Sequence, residues 1–162
     1  MLALSEAFVD AFYSYDAVAL EATLSKAESS IPLIVWYQGW AEGGNYQIVD
    51  RTPCEVTGQT SVACSITVKD DFIQALSLDF NVTDTFLIVI RDGQIQQVDT
   101  ESDDPELVFD ALAWMQEQGD YEDLGDTLCQ GFRGRGPTPE ECARAIVQAF
   151  KDFAASDEFP AP

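Results

Sequence analysis

Basic residues are scarce in this chain, and histidine is absent. Eight Lys and Arg stand against 29 Asp and Glu, which gives a formal net charge of −21. Such a chain repels phosphate backbones and anionic membrane surfaces, so the charge argues against nucleic acid as a partner. Without histidine, neither a Ser-His-Asp nor a Cys-His catalytic set can form. The acidity is typical of a solubility adaptation, with a basic protein partner or calcium binding as the alternatives.

Long apolar runs and nucleotide-binding signatures are also missing. No uninterrupted apolar stretch approaches the ~20 residues that a membrane-spanning helix needs. No G-x-G-x-x-G or other phosphate-cradling loop is present, so we predict no nucleotide cofactor. The opening residues, MLALSEAF, carry no charged-then-apolar signal segment and lead almost directly into a helix, which leaves room for an upstream segment that was removed.

The sequence also lacks metal-binding patterns. The densest acidic cluster is Glu101, Asp103, Asp104 and Glu106, and it lacks the Asp-x-Asp-x-Asp-Gly spacing of a calcium loop. We interpret this cluster as the solvated start of a helix. The cysteines contain no C-x-x-C pair, so a zinc site is not predicted either.

Four cysteines allow two interpretations. Cys54 and Cys64 flank a Gly-Gln-Thr hairpin loop and fall opposite each other if Thr57 pairs with Ser61. Cys129 precedes a glycine-rich connecting loop, and Cys142 lies early in the next helix. Local bridges 54–64 and 129–142 would indicate an oxidising, secreted or periplasmic home, whereas four buried thiols would indicate a cytoplasmic one. Four cysteines allow three connectivities, and the sequence alone does not choose among them.

Hydrophobic periodicity predicts an α+β chain. Apolar residues make up 46% of the 162 residues and aromatic residues 11%, enough for one domain with a buried core. Helices, then a meander of strands, then further helices indicate helices packed on one face of an antiparallel sheet. The predicted helices are approximately 5–15, 17–24, 31–43, 71–76, 105–118 and 138–155, and the predicted strands are 46–57, 61–69 and the hairpin 83–101.

Individual residues mark the expected ends of these elements. Ser5 and Asp16 are plausible N-caps for the first two helices. The last helix has a full start signal, with Thr138 as N-cap, Pro139 in the first turn and Glu141 three positions after the cap. Pro53 predicts an edge or a bulge in the first strand, because proline cannot donate to the ladder.

The hairpin 83–101 turns at Arg91-Asp92-Gly93-Gln94, and two registers are open. A two-residue type I′ loop would pair Arg91 with Gln94, whereas a turn with a glycine bulge would pair Ile90 with Gln94. The choice matters because a one-residue slip moves every side chain of a strand to the other face. In the bulged register, the faces divide into Asp84, Phe86, Ile88, Ile90, Gln96, Val98 and Thr100 on one side and Leu87, Val89 and Ile95 on the other.

Two segments carry a family resemblance. The opening AFVDAFYSYDAVALEATLS is similar to the first helices of the nuclear transport factor 2-like, or SnoaL-like, superfamily. The hairpin DTFLIVIRDGQIQQVD resembles the last two strands of that superfamily. The resemblance implies a curved antiparallel sheet wrapped around the N-terminal helices, forming a cone with an apolar pocket, over residues 1–104. Residues 105–162 are then a C-terminal helical extension packed on the same domain.

The superfamily's fold does not specify a function, because its members include isomerases, hydrolases, cyclases and non-catalytic binding or dimerisation modules. Our first hypothesis is a binding domain whose apolar pocket holds a small lipophilic ligand. The alternative is a cofactor-independent acid/base enzyme of the isomerase, epoxide hydrolase or cyclase type. A structural or dimerisation module is the third. The sequence leaves open whether the protein is an enzyme.

Asp84 is the candidate catalytic residue. In the superfamily's isomerases, an Asp just before a Phe-containing strand acts in the pocket as a hydrogen-bond donor, and Asp84-Thr85-Phe86 resembles that position. A carboxyl group on the inner face of an apolar cone is also suited to acid/base work. The isomerases' first-helix Tyr falls on Phe8 here, and the Arg-x-Asp of the epoxide hydrolases has no match. The residues predicted to bind the ligand are Tyr13, Trp36, Tyr37, Trp40, Phe86, Ile88, Gln96, Val98 and Thr100.

Each of these assignments has a structural alternative. Asp84 can serve as a strand residue that binds local backbone N–H groups, and the Trp/Tyr stripe at helical spacing can be core. The face formed by Leu87, Val89 and Ile95 is apolar, so it suggests a homodimer interface unless the C-terminal helices cover it.

Overall fold

The computed structural model describes residues 1–118, residue 129 and residues 138–160, and these form an α+β protein. The predicted α+β class is therefore confirmed. The glycine-rich loop 131–137 lies outside the described residues. The helices are α1 (Leu2–Phe12), α2 (Ala17–Thr23), α3 (Ile31–Gly43), α4 (Asp71–Ala75), α5 (Glu106–Glu117) and α6 (Pro139–Ala154). The strands are β1 (Gln47–Arg51), β2 (Glu55–Val56), β3 (Ser61–Lys69), β4 (Val82–Arg91) and β5 (Gln94–Ser102).

Side-chain caps start two of these helices as the sequence predicted. Asp16 accepts hydrogen bonds from the N–H groups of Val18 and Ala19, at 3.0 and 3.1 Å. Thr138 accepts from the N–H of Glu141 at 3.4 Å, and the Glu141 carboxylate accepts from the N–H of Thr138 at 3.0 Å. These bonds satisfy N–H groups that have no partner within the helix, which is why the capping residues are good sequence signals.

The predicted cap at Ser5 was wrong. The N–H groups of Leu4 and Ser5 bond to the carbonyl of Met1, at 3.0 and 3.1 Å, so α1 already includes Leu2. Ser5 is fully buried within the helix, and its hydroxyl donates to the same Met1 carbonyl at 3.4 Å. The helix therefore begins before the residue that the local capping signal marked, because burial of its inner face stabilises it more than one side-chain cap does.

The sheet is built around β3 and β4. β3 pairs antiparallel with β2 and β4, β4 pairs antiparallel with β5, and β1 lies on the other side of β3. Pro53 lies in the gap between β1 and β2, as its missing N–H group predicted. Along β3 and β4, buried residues alternate with half-buried ones. One face of the sheet is therefore packed, while the other is only partly covered.

The turn between β4 and β5 is the two-residue form. Asp92 and Gly93 have φ values of 51° and 73°, and Arg91 pairs with Gln94. Positive φ at both central residues is the requirement of a type I′ turn, which matches the twist of the strands that it joins. Gly93 meets this requirement without strain, and Asp is among the residues that tolerate it.

A bulge after the turn changes the register once more. Ile90 pairs with Ile95, whereas Val89 pairs with Gln97, so Gln96 is the extra residue on β5. Beyond the bulge, Val98 pairs with Ile88, whereas the glycine-bulge alternative would have paired it with Phe86. The two-residue turn is therefore the form present, and the bulge returns Val98 and Thr100 to the face that the glycine-bulge alternative predicted for them.

The two-residue turn corrects the predicted position of Ile95. This residue is 1% exposed and pairs with Ile90 on the buried face, so it does not lie beside Leu87 and Val89. Val98 and Thr100 lie on the same face as Phe86 and Ile88, as predicted, since Val98 pairs with Ile88 and Thr100 with Phe86.

The described chain divides into two compact units. The first unit comprises Met1–Gln38, Ile48–Val68 and Val82–Asp103. The second unit comprises Gly39–Gln47, Lys69–Asn81 and Asp104–Pro162. Helix α3 therefore contributes its first turns to one unit and its last turns to the other.

Aromatic rings form much of the core of the second unit. Phe72 on α4 stacks on Trp40 with ring centres 4.8 Å apart and an angle of 9° between the planes. The same ring meets Tyr46 at 6.4 Å and Phe150 of α6 at 5.9 Å, both edge-on. Offset and edge-on contacts of this kind stabilise a core beyond the area that they bury. Phe72 is thus one of the buried residues that attach α4 to its unit, together with Ala75 and Leu76.

Both of the local disulfides that the sequence suggested are present. Cys54 is bonded to Cys64 of β3, with Cα atoms 4.3 Å apart, and Cys129 is bonded to Cys142 of α6. The pairing of Thr57 with Ser61 that brings Cys54 opposite Cys64 is also present, as the Thr57 N–H donates to the Ser61 carbonyl at 3.0 Å. Among the described residues, no helix combines the length and the hydropathy needed to cross a bilayer.

Candidate functional site

Phenylalanine rings surround the candidate site in the first unit. Phe86 of β4 contacts Phe12 and Phe8 of α1, with ring centres 4.8 and 5.3 Å apart, and none of the three is exposed. Tyr37 of α3 closes the group at 5.4 Å from Phe12. These rings make the surroundings of any neighbouring polar group strongly apolar.

Gln38 fixes the end of α1 beside this cluster. Its side-chain amide is 3% exposed and donates to the carbonyls of Ala11 and Phe12, at 3.1 and 2.8 Å. The last carbonyls of a helix lack partners within the helix, so the amide replaces the hydrogen bonds that they would otherwise make with water. Tyr13, the next residue in the chain, is thereby held at the C-terminal end of α1.

Asp84 points inward from β4. It belongs to the buried set of the strand, together with Phe86, and its Cα pairs with Ile66 on one side and Ser102 on the other. The residue is 1% exposed, and both carboxylate oxygens are buried. A carboxyl group is therefore held inside an apolar core, where its charged form is poorly solvated.

The hydroxyl of Tyr13 is the second buried polar group. Its ring packs against Phe12 at 5.0 Å, and the hydroxyl oxygen has no contact with solvent. Burial raises the pKa of the Tyr13 phenol well above its ordinary value, and the charge of Asp84 raises it further. The phenol consequently stays protonated under physiological conditions and is available as a hydrogen-bond donor.

Tyr13 and Asp84 together can bind or polarise an oxygen-containing group. A phenol supplies one donor, and a carboxyl group supplies acceptors when it is ionised or a second donor when it is protonated. In low-dielectric surroundings such interactions are stronger than in water. The sequence had predicted Asp84 as the candidate acid/base and Tyr13 as a pocket residue, and the structure brings the two together.

The other predicted ligand-binding residues have different surroundings. Phe86, Ile88 and Val98 are at most 1% exposed and lie on the packed face of the sheet with Asp84. Thr100 pairs with Phe86 and is partly exposed, and Gln96 is the bulged residue of β5. Trp36 and Tyr37 lie on the first-unit part of α3, and the indole nitrogen of Trp36 is buried.

Trp40 belongs to the second unit. One turn along α3 from Trp36, it stacks on Phe72 in the core described above. The helical spacing of Trp36, Tyr37 and Trp40 suggested a single stripe. A continuous helix can nevertheless contribute side chains to two cores, and the periodicity of its apolar residues does not reveal where the first core ends along the helix.

An ion-pair network beside the disulfide was missed from the sequence. Arg51 at the end of β1 contacts Glu6 and Asp10 of α1, both at 2.6 Å. Glu6 also accepts from the backbone N–H of Cys54 at 2.7 Å. This N–H bond and the Arg51 guanidinium lower the pKa of Glu6. The scarcity of basic residues in the sequence could have indicated this network, since an arginine in so acidic a chain has many carboxylates with which it can form an ion pair.

The described residues contain an open cleft of about 510 Å³ at the end of the hairpin. Its walls include the apolar side chains of Leu4 and Ile90 and the polar groups of Thr60 and Arg91. Neither Tyr13 nor Asp84 lines it. Within the described part of the chain, no group of three or more Cys, Asp or Glu side chains is arranged to hold a metal ion.

Similarity to known proteins offers no further guide to the site. Comparisons of this chain with protein-family models, curated proteins and solved structures find no match.

Proposed function

We propose that the first unit binds a small lipophilic molecule whose oxygen-containing group is held by Tyr13 and Asp84. The observation that carries the proposal is the burial of the Asp84 carboxyl, 1% exposed, next to a protonated phenol among Phe8, Phe12 and Phe86. Clusters of buried ionisable groups with altered proton affinity are more frequent at functional sites than elsewhere.

Energetics support a functional role for Asp84. Removing an ionised carboxylate from water into an apolar core costs several kcal/mol unless its partners compensate for the lost solvation. An aliphatic residue at the same position of β4 would pack against Ile66 without this cost. A carboxyl group held in such surroundings is therefore a candidate for binding or catalysis.

The chemistry of the pair suggests the class of ligand. A hydroxyl group or a carbonyl oxygen can accept from the Tyr13 phenol, and a hydroxyl group can also donate to the Asp84 carboxylate. An anionic ligand would meet repulsion from Asp84 and from a chain of net charge −21. The ligand that we propose is therefore neutral, with an apolar body and a phenol, alcohol or ketone oxygen.

The resemblance to the nuclear transport factor 2-like superfamily agrees with this proposal. A curved sheet wrapped around α1 would place the buried face of β4 against a pocket. Trp36, Tyr37, Ile88, Gln96, Val98 and Thr100 remain the proposed lining, whereas Trp40 belongs to the core of the second unit. The two disulfides lead us to infer that the protein works in an oxidising compartment, secreted or periplasmic.

An acid/base enzyme without a cofactor is the second candidate, because the structure brings a proton donor to Asp84. In such an enzyme Tyr13 would polarise a carbonyl oxygen, and Asp84 would remove or return a proton on an adjacent carbon. Isomerases and cyclases of ketones use chemistry of this class. Turnover of a neutral enone, followed by loss of its absorbance, would distinguish this candidate from simple binding.

The variant Asp84→Asn tests the proposal with two readouts. We expect it to raise the melting temperature by about 3–6 °C, because the amide has no ionised form whose burial costs free energy. We also expect it to weaken binding of the neutral dye Nile red, followed by fluorescence, by about tenfold or more. Tyr13→Phe should weaken binding comparably while retaining the ring contact with Phe12.

Asp92→Asn is the matched control, because Asp92 is exposed at the turn and Asn tolerates the same positive φ. It should leave dye binding unchanged. A purely structural role for Asp84 predicts the opposite pattern, in which Asp84→Asn lowers the melting temperature and leaves dye affinity unaltered. That result would overturn the proposed function.

A further inference from the structure

A second buried carboxyl group lies in the second unit, independent of the proposed ligand site. Asp70 is 1% exposed and caps α4, where its Oδ1 accepts from the N–H of Ile73 at 2.9 Å. Its Oδ2 is buried and has no hydrogen-bond partner among the described residues. One oxygen of a carboxylate is thus deprived of both water and donors, an arrangement that disfavours the ionised form.

The charged groups that act on Asp70 are also acidic. Asp71 follows it at the start of α4, and Asp104 approaches from the segment before α5. Both repel an ionised Asp70 and add to the effect of burial. The N–H groups at the start of α4 act in the opposite direction but do not cancel these effects. Together they raise the pKa of Asp70 to about 6.

Helix α4 connects Asp70 to the core of the second unit. Phe72, two residues along, stacks on Trp40 and contacts Phe150 of α6. The helix is only five residues long, so its persistence depends on its cap and on this packing. A change at the cap is therefore transmitted to Phe72 and its aromatic neighbours.

We propose that Asp70 makes the second unit pH-sensitive, such that the protonated side chain keeps α4 closed and ionisation loosens α4 from the aromatic core. The protonated form suits the site because its O–H can act as a donor and carries no charge to repel Asp71 or Asp104. Neutral Asp70 still accepts from the Ile73 N–H, so the cap persists in the closed state.

The sign of the pH dependence follows from the direction of the shift. The pKa of the Asp70 carboxyl is about 6 in the closed state and near 3.8 in the open state, where the side chain is solvated. Because the closed state binds the proton more tightly, protonation favours closure, and this contribution is fully present below pH 3.8. This contribution is lost as pH rises through about 6. Opening of α4 should therefore increase by roughly 30-fold between about pH 4.5 and pH 7.5.

Hydrogen exchange of the α4 amides tests this inference directly. In the wild-type protein, the protection factors of the amides of residues 71–76, corrected for intrinsic exchange, should fall by roughly 30-fold between about pH 4.5 and pH 7.5. Near-UV circular dichroism should change over the same range, because Trp40 stacks on Phe72. Asp70→Asn keeps a capping side chain without a titrating proton, so both signals should become nearly independent of pH.

Two further variants complete the design. Asp70→Ser is a second neutral cap, to be measured if the Asn variant does not fold, and it should behave in the same way. Asp79→Asn removes an equal charge at an exposed position of the same unit and should retain the wild-type pH dependence. Unchanged pH dependence in a folded Asp70 variant, or its absence in the wild type, would overturn the proposal.

Discussion

At the scale of single residues, buried polar groups distinguish this protein. Asp84 and Tyr13 lie together in the first unit, and Asp70 lies in the second. Gln38 is different, because both of its side-chain hydrogen bonds serve the backbone of α1. Buried groups that satisfy backbone hydrogen bonds stabilise a fold, whereas buried ionisable groups with altered proton affinity are the better functional candidates.

The role assigned to Gln38 predicts a loss of stability. Gln38→Leu keeps a side chain of similar volume but leaves the carbonyls of Ala11 and Phe12 without their donor. We expect the free energy of unfolding to fall by about 1–3 kcal/mol, measured by urea denaturation. Gln148→Leu, at an exposed position of α6, is the control and should change it by less than about 0.5 kcal/mol. Equal effects of the two substitutions would contradict the role of Gln38.

At the scale of the elements, the close contact between α3 and α6 depends on Gly43, which has no side chain. A Cβ atom on Gly43 of α3 would lie 2.6 Å from the Cα of Glu140 in α6 and 2.8 Å from the Cβ of Ala143. The neighbouring atoms include backbone, which cannot rotate away. The contact between these helices in the second unit therefore requires glycine for its small size rather than for its φ angle.

The variant Gly43→Ala should force α3 and α6 apart. Alanine is the better helix former, yet the clash should lower the free energy of unfolding by about 1–3 kcal/mol. The measurement is thermal or urea unfolding followed by circular dichroism. Gly58→Ala is the control, because the nearest atoms to its added Cβ belong to Ser61 at 3.6 Å, and it should be nearly neutral. A stabilised Gly43→Ala protein would mean that propensity outweighs the contact.

At the scale of the whole molecule, the charge of −21 opposes compaction. Arg51 offsets part of it locally through its contacts with Glu6 and Asp10, but the described basic residues are far fewer than the acidic ones. Self-repulsion of this kind is screened by salt, because the Debye length falls from about 10 Å at 0.1 M to about 3 Å at 1 M. Stability should therefore depend on ionic strength.

We expect the melting temperature to rise by several degrees between about 0.05 and 1 M NaCl at neutral pH, because screening relieves repulsion among exposed carboxylates. Differential scanning calorimetry measures the shift. Sucrose at matched osmolality is the control for solutes that stabilise proteins because they are excluded from the protein surface. Sucrose is uncharged, so at low concentrations it should not reproduce the rise in melting temperature that salt produces. A melting temperature that falls with salt would indicate that ion pairs such as Glu6–Arg51 outweigh the net repulsion.

Local patterns in the sequence determined the elements and several of their boundaries. Period-2 and period-3.6 repeats located the strands and helices, Asp16 and Thr138 marked helix starts, and Asp92-Gly93 marked the turn. The spacing of Cys54 and Cys64 around a hairpin loop likewise anticipated their bond. These signals are legible because each arises from interactions within a few residues along the chain.

Tertiary structure alone decided what those patterns left open. The two-residue turn placed Ile95 on the buried face, burial of Ser5 overrode its capping signal, and Trp40 at the end of α3 packs on Phe72 in the second unit. The meeting of Tyr13 with Asp84 and the isolation of one Asp70 oxygen likewise depend on contacts between distant segments. Contacts between distant segments set the environment of a polar group, and no local pattern encodes them.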